Sequence, residues 1–451
     1  MKISVYGWYS PSLRGNDFIK YSYFSTIRNL YNILSHIAYG HIRVAKNFSK
    51  KLELFVQGRK ESFDRLEKAI SKEDQTLWMH CASLGEFEQG VPVLEALKKN
   101  YPTHKIVVTF FSPSGYEIKK DSPLAHVVTY LPFDTIGNAR RFIETVHPTL
   151  AIFVKYEIWP NYLLELKVEN IPALLISGVF RKNQIYFKPH GGFMRKALRT
   201  VHHIFVQNEA SKTLLNQLEM TQVTISGDTR FDRVSHQIEM DNTVDFMDIF
   251  SSNSLVVVCG STWPEDELLL IDAINEHRED VKFVLAPHKI DASKIESFRS
   301  KVQPSTLLYS EWKAAKDSEK MHDNLVNAKV LVVDTIGYLT KIYSYAHIAY
   351  VGGAAGNTGL HNILEPATFG LPIIIGSHFE GFPEAEKLRQ LAGLFSVATS
   401  EECSTVLNKL LSDKKFRNQT GMISGHFVNR NTGATKRIIE FINRLVPITS
   451  A

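Results

Sequence analysis

The sequence predicts an α/β protein built from two doubly wound, Rossmann-like domains that face a cleft. Three observations carry that expectation. Short strands, apolar throughout, alternate with longer amphipathic stretches, as in parallel sheets covered on both faces. At 451 residues the chain is too long for one ordinary core. The pattern lapses over residues 237–253, which are polar, acidic and poorly patterned, and the domain boundary is expected there.

In order along the first half, strands are expected at 76–81, 105–111, 127–131, 150–154, 173–177, 203–206 and 223–225. Helices are expected at 86–99, 114–120 and 208–218. The second half repeats the style. Strands fall at 254–259, 282–286, 330–333, 346–351 and 371–375, and helices at 265–277, 338–345, 383–391 and 403–412. Residues 303–327 are charged and irregular and read as a surface insertion, and 433–445 form one more amphipathic helix. The division that follows is an extension with a membrane-proximal segment over 1–50, a first domain over 51–240 and a second over 241–451.

The segment 27–44 places apolar residues at helical spacing, with Arg28, Arg43, Lys46, Lys50 and Lys51 around it. It is either an amphipathic helix lying on a membrane face or a helix packed on the protein's own core. No stretch has the ~18–20 apolar residues that span a bilayer, and the first 26 residues do not read as a signal peptide.

Composition narrows the function classes. With 44% hydrophobic and 22% charged residues the chain is of the globular type. A net charge of +5 without an aromatic-studded basic stripe argues against nucleic acid. It suits an acidic small substrate or an anionic membrane surface. Cys81, Cys259 and Cys403 are far apart and form no Cys-x-x-Cys pair. They read as buried small hydrophobes in a reducing cytoplasm. His202 and His203 are adjacent on a strand and face opposite ways, so no metal site and no cofactor is expected.

The most informative stretch is Gly352-Gly353-Ala-Ala-Gly-Asn-Thr-Gly-Leu-His361-Asn362-Ile363-Leu364-Glu365-Pro366, between a buried strand and a short helix. Glycines let backbone approach a ligand closely. A helix starting near His361 would aim unpaired N–H groups at an anion, and Glu365 would accept bonds from ribose hydroxyls. This reads as a nucleotide-sugar donor site. Other strand ends join it. Ser261 and Thr262 offer hydroxyls and N–H groups to a phosphate, without the lysine of a Walker loop. Pro287 and His288 end the next strand. The backbone of Ile336 and Gly337, before Tyr338, can meet a base edge. In the first half, Ser83-Leu-Gly85-Glu86 lies where a strand hands over to a helix. There Glu86 is either a general base or a capping glutamate, and Glu88 is expected to be solvated. Lys155 and Glu157 share a side of the chain, and either pair with each other or contact substrate. Trp159 is expected in the core.

Together, Ser83–Glu86, Tyr156-Glu157-Ile-Trp-Pro-Asn161, Gly227-Asp-Thr-Arg-Phe-Asp232, Asp334–Gly337 and Gly352…Pro366 resemble the 3-deoxy-D-manno-octulosonic acid (Kdo) transferases of lipopolysaccharide assembly. The resemblance runs from about Leu30 to the C-terminal helix. It implies a GT-B fold with an N-terminal acceptor domain and a C-terminal donor domain. It implies CMP-Kdo as donor, a tetraacyl lipid A precursor as acceptor, and action without a metal at the cytoplasmic face of the inner membrane. It makes Glu86 the general base. CMP contacts are implied at Pro287-His288, at Ile336-Gly337-Tyr338 and at Asn362-Ile363-Leu364-Glu365. Ser83, Gly85, Lys155 and Glu157 are the acceptor-side candidates. Where many members carry Pro-Arg-His, this chain has Pro287-His288-Lys289, with Lys289 available in place of the arginine. The competing reading is another GT-B transferase or an epimerase using a UDP-sugar.

Overall fold

A computed structural model describes residues 15–276 and 280–447, with side chains from residue 25 onward. The first 14 residues of the expected extension, and His277 at the expected end of a helix, lie outside the described residues. The chain divides into two compact units. One runs to Thr229 and resumes at Gly433; the other is Arg230–Thr432.

The first unit holds a seven-stranded sheet: β1 (Thr76–Cys81), β2 (Lys105–Phe110), β3 (Val127–Tyr130), β4 (Pro148–Val154), β5 (Ala173–Gly178), β6 (His203–Val206) and β7 (Val223–Ile225). Their spatial order is β3-β2-β1-β4-β5-β6-β7, with every pair parallel. The strands are apolar on both sides because both faces are covered. Trp78 points into one cluster with Val107, Phe142, Phe153 and Tyr162. Its neighbours Leu77 and Met79 point into the opposite one with Val108, Ile152 and Phe87, the period-two alternation of a strand.

The C-terminal helix Ala434–Leu445 belongs to this unit. Ile438 and Ile442 complete the Leu77–Met79 cluster, and Tyr101 Oη donates to the Val446 carbonyl at 2.7 Å. The boundaries expected from the sequence place this helix in the second domain, 241–451, whereas it resumes the first unit. An amphipathic pattern declares a buried face but not the sheet that buries it.

Two helices not expected from the sequence, Lys50–Lys60 and Ser62–Ala69, cover one end of the sheet. Buried Arg59 donates to the carbonyls of Phe55, Phe111 and Leu131 at 3.1, 2.7 and 3.0 Å. Burial lowers its pKa to about 9, which still leaves it cationic at neutral pH.

The long helix Gly15–Ala45 packs on this unit through polar side chains. Arg28 bonds Glu165 at 2.6 Å and Asn161 at 3.1 Å. Tyr31 donates to Asp134 at 2.8 Å, and Asn32 accepts the Ile136 N–H at 2.8 Å. Burial pushes the Asp134 pKa up to about 6. Leu30, Ile33, Leu34 and Ile37, by contrast, are all more than half exposed, as are Val44 and Phe48 beyond them. The stripe is therefore split: Tyr31 and Tyr39 pack on Phe193 and Phe133 of this unit, while its aliphatic residues Leu30, Ile33, Leu34 and Ile37 stay exposed.

The second unit repeats the design with β8 (Leu255–Thr262), β9 (Val281–Pro287), β10 (Thr306–Leu308), β11 (Val330–Val332), β12 (Ile348–Val351), β13 (Ile373–Gly376) and β14 (Leu394–Val397). The order is β10-β11-β9-β8-β12-β13-β14, again parallel throughout. Without β10 this is the strand order of the first six strands of the other unit. The stretch expected as an irregular insertion supplies that added edge strand, together with the helices Tyr309–Ala314 and Glu319–Asn327. Nor is 237–253 a bare linker. Its helix Asp245–Phe250 buries Phe246, Met247 and Phe250 in the second unit's core.

Candidate functional site

In open parallel sheets, ligands bind beyond the carboxyl ends of strands where the strand order reverses. That point lies between β1 and β4 in the first unit, and between β8 and β12 in the second. The sequence-derived candidates sit at these two places.

At the first, the chain leaves β1 through Ser83, the N-cap of the helix Leu84–Asn100, which puts Glu86 in the first turn. Glu86 is buried. Its Oε2 accepts from the Ser83 hydroxyl, and its Oε1 lies 3.4 Å from Lys155 Nζ at the end of β4. Burial raises the carboxyl's pKa, but the Ser83 hydrogen bond and the Lys155 charge outweigh it, so Glu86 titrates below its ordinary value. At exposed Gly85 a Cβ would meet only the Ser83 hydroxyl, at 3.9 Å. Lys155 has a left-handed backbone, φ 70°, uncommon for a non-glycine residue and characteristic of functional strand ends.

Lys155 and Glu157 do not pair with each other. Glu157 Oε2 instead accepts from Trp159 Nε1 at 3.1 Å. The same indole N–H lies 3.0 Å from His80 Nε2, while His80 Nδ1 meets Thr109 Oγ1 at 2.9 Å. Trp159 is thus half-buried, a polar brace rather than pure core. Glu88 is not free in solvent but pairs with Lys119 at 3.2 Å. Cys81, Cys259 and Cys403 are buried free thiols. Among the described residues no group of three or more His, Cys, Asp or Glu is arranged to hold a metal ion.

At the second switch point, β8 ends on Thr262, just after Ser261, whose backbone is left-handed (φ 55°), and β12 runs into the glycine loop. Asp266, fully buried, organises this loop. One of its oxygens accepts the N–H of Trp263 at 2.9 Å and of Gly353 at 2.8 Å. The other accepts Tyr350 Oη at 2.9 Å and the Ala355 N–H at 3.3 Å. The glycines are required by close approach. A Cβ at Gly353, where φ is 96°, would meet the Gly359 carbonyl oxygen, and one at Gly352 would meet the Ser261 backbone.

Here the structure corrects the expected anion-binding helix start. The His361 N–H donates to the Gly352 carbonyl at 3.1 Å, and the helix begins only at Leu364 and is five residues long. The Leu364 N–H is taken by Asn362 Oδ1 at 3.1 Å. Ile363 and Leu364 are buried in the core and offer backbone only. Glu365 is held by Asn362 Nδ2 and Thr340 Oγ1, both at 3.1 Å.

The polar face gathers elsewhere, around rings. His288, just past β9, stacks on Trp263 (centroids 4.8 Å apart, 25° between planes) and on His361 (4.3 Å, 30°). Trp263 Nε1 donates to His361 Nε2 at 3.1 Å, and Lys289 Nζ lies 4.9 Å from the Trp263 ring centre. Burial lowers the His361 pKa to about 4, with help from His288. Partial burial and Lys289 lower that of His288. Both imidazoles are thus neutral at pH 7, and Lys289 is the cation of the group. Thr262 turns inward, donating to Glu267 at 3.2 Å. Past β11, Ile336 is 87% exposed and Gly337 has φ 103°, which leaves this turn's backbone open. Tyr338 packs on Phe246 and Tyr309. Sequence reasoning missed Asp266, although Pro264 followed by two acids was a legible helix start.

Two parallel, doubly wound units with polar residues at their switch points define a protein of the GT-B class. Solved structures of the same fold include the UDP-GlcNAc 2-epimerase from Neisseria meningitidis, 15% identical, with a TM-score of 0.55 over 82% of this chain and 100% of that one. MurG of Acinetobacter baumannii is 12% identical, with a TM-score of 0.51 over 82% and 99%. At such identity the likeness is one of fold. Sequence gives a finer likeness. Residues 57–233 match the model of the 3-deoxy-D-manno-octulosonic-acid transferase (Kdo transferase) family. The 3-deoxy-D-manno-octulosonic acid transferase of Haemophilus influenzae is 27% identical over 82% of this chain and 86% of its own length. That of Aquifex aeolicus is also 27% identical, over 75% and 87%. The chain is thus similar to Kdo transferases over most of its length, and to their family model over residues 57–233.

Proposed function

We propose that this protein transfers Kdo from CMP-Kdo to the tetraacyl lipid A precursor (lipid IVA), with the first unit binding the acceptor and the second the donor. The observation that carries the reading is Glu86. It is a buried carboxylate held ionised by Ser83 and Lys155 at the first unit's switch point, in a chain similar to named Kdo transferases over most of its length.

Glu86 takes the proton from the lipid sugar's hydroxyl as that oxygen attacks the anomeric carbon of Kdo. The bond to the phosphate oxygen breaks and CMP leaves. A positioned general base typically contributes ~10²–10⁴-fold. Negative charge on the departing phosphate is met by Lys289 and by the neutral N–H donors of His288 and His361, set in place before the reaction. The Ser261 hydroxyl and the open backbone at Ile336–Gly337 complete the donor contacts, and Glu365 binds ribose.

The exposed stripe Leu30, Ile33, Leu34, Ile37 and Val44 supports action at a membrane surface, where the acceptor resides. Among the described residues no helix is long and apolar enough to cross a membrane. Peripheral binding at the cytoplasmic face of the inner membrane fits both facts. The test is direct: pure protein is incubated with CMP-Kdo and lipid IVA, and the lipid is weighed by mass spectrometry. A gain of Kdo with release of CMP is expected. An unchanged lipid, or consumption of a UDP-sugar in place of CMP-Kdo, would defeat the reading.

A further inference from the structure

The stacked rings of the second unit contain a residue with no assigned role. We infer that Trp263 is a positioning residue that sets the tautomer of His361 and the seats of His288 and Lys289, so that the donor's phosphate meets a preset group of N–H donors. The inference rests on the reading that these strand ends hold the donor.

The geometry is specific. An indole N–H can only donate, and it points at His361 Nε2 from 3.1 Å. That nitrogen must therefore carry the lone pair, which puts the single ring proton on Nδ1. A hydrogen bond at one ring nitrogen decides which form the other takes. A second proton on Nε2 would oppose the indole N–H, which reinforces what burial already does to keep this imidazole neutral. The face of the same indole carries the His288 ring, and the Lys289 ammonium lies within cation–π range of it. One side chain thus touches all three. It is itself anchored through its own backbone N–H to the buried Asp266, the carboxylate that shapes the glycine loop. Pro264 follows at the helix's first position, so Trp263 is held at the junction of β8, the loop and the helix.

Trp263→Phe keeps an aromatic face for the stack and removes only the N–H. ¹⁵N NMR of the imidazoles at neutral pH, in the full-length protein without ligand, is expected to show His361 as the Nδ1–H tautomer in the wild type. It should show a shift toward the Nε2–H form, which imidazoles ordinarily favour, in the variant. The KM for CMP-Kdo should rise about 3- to 10-fold, the scale of one hydrogen bond, with kcat changed far less. A retained Nδ1–H tautomer in the variant overturns the lock. A changed tautomer with an unchanged KM overturns the positioning role. If CMP added to wild-type protein leaves the His361 and His288 resonances unmoved while the tautomer is as expected, the donor-site reading has failed rather than the lock, and the role in donor binding falls with it.

Discussion

Replacing Lys155 by methionine should bring the titration of Glu86 into the range of an ordinary pH profile. In the wild type, burial favours the neutral acid, and the Ser83 hydroxyl and the Lys155 ammonium overcome it. The Lys155 Nζ–Glu86 Oε1 separation is 3.4 Å. At an effective dielectric near 20, two unit charges at that distance interact by about 5 kcal/mol. Lys155 is 29% exposed, so solvent screens part of this. An opposite charge at such range typically moves a carboxyl by roughly 1–3 units.

The sign is fixed by the role. A general base works as the carboxylate, so kcat/KM falls as pH drops through its pKa. With that pKa below the ordinary glutamate value of about 4.3, Glu86 contributes no acidic limb above pH ~5 in the wild type. Without Lys155 the carboxyl loses an opposing charge, and the limb should move to higher pH. Initial rates of CMP release as a function of pH provide the measurement. Lys155→Gly is the companion variant: it removes the same charge and relieves the left-handed backbone at φ 70°, and should show the same limb. Superimposable acidic limbs for wild type and both variants, or a loss uniform with pH, would refute the electrostatic account of Glu86.

Asp266→Asn should destabilise the second unit by roughly 2–4 kcal/mol, because an amide NH₂ would face N–H donors that now share a buried carboxylate. The denaturation midpoint reads this, and no change would mean the loop does not depend on Asp266. Glu365→Ala should chiefly weaken donor binding, measured by calorimetry with CMP, and an unaltered affinity would remove Glu365 from the donor site. Ile33→Asp with Ile37→Asp should reduce binding to anionic lipid vesicles. Two half-exposed aliphatic side chains contribute about 2 kcal/mol to such binding, or about 30-fold. Sedimentation of the double variant equal to wild type would show that this face does not meet the membrane.

What was legible in the sequence had a local signal. Glu86 announced itself because Ser83, Gly85 and the following apolar periodicity mark a strand-to-helix handover. The glycine loop did so because its turn needs residues without Cβ. What was not legible depends on strand order. Lys155 reaches Glu86 only because β4 lies beside β1, although 69 residues separate them in the chain. A guess from alternation alone pairs Lys155 with Glu157 instead. The three-residue strand β10 is too short to show a period. The helix start expected at His361 was lost to a loop that folds back, with the Gly352 carbonyl capturing the His361 N–H. The tail helix showed its buried face plainly, yet nothing in its pattern names the first-unit residues Tyr101 and Met79 that receive it.

The measurement that bears most directly on the central claim is a paired one on Glu86→Gln. CMP affinity by calorimetry and turnover of CMP-Kdo with lipid IVA are compared with wild type on the same preparation. The account predicts an intact fold, unchanged CMP affinity and a turnover reduced by about 10²–10⁴-fold. Turnover close to wild type would contradict it, because the first unit would then hold no essential base at the end of β1.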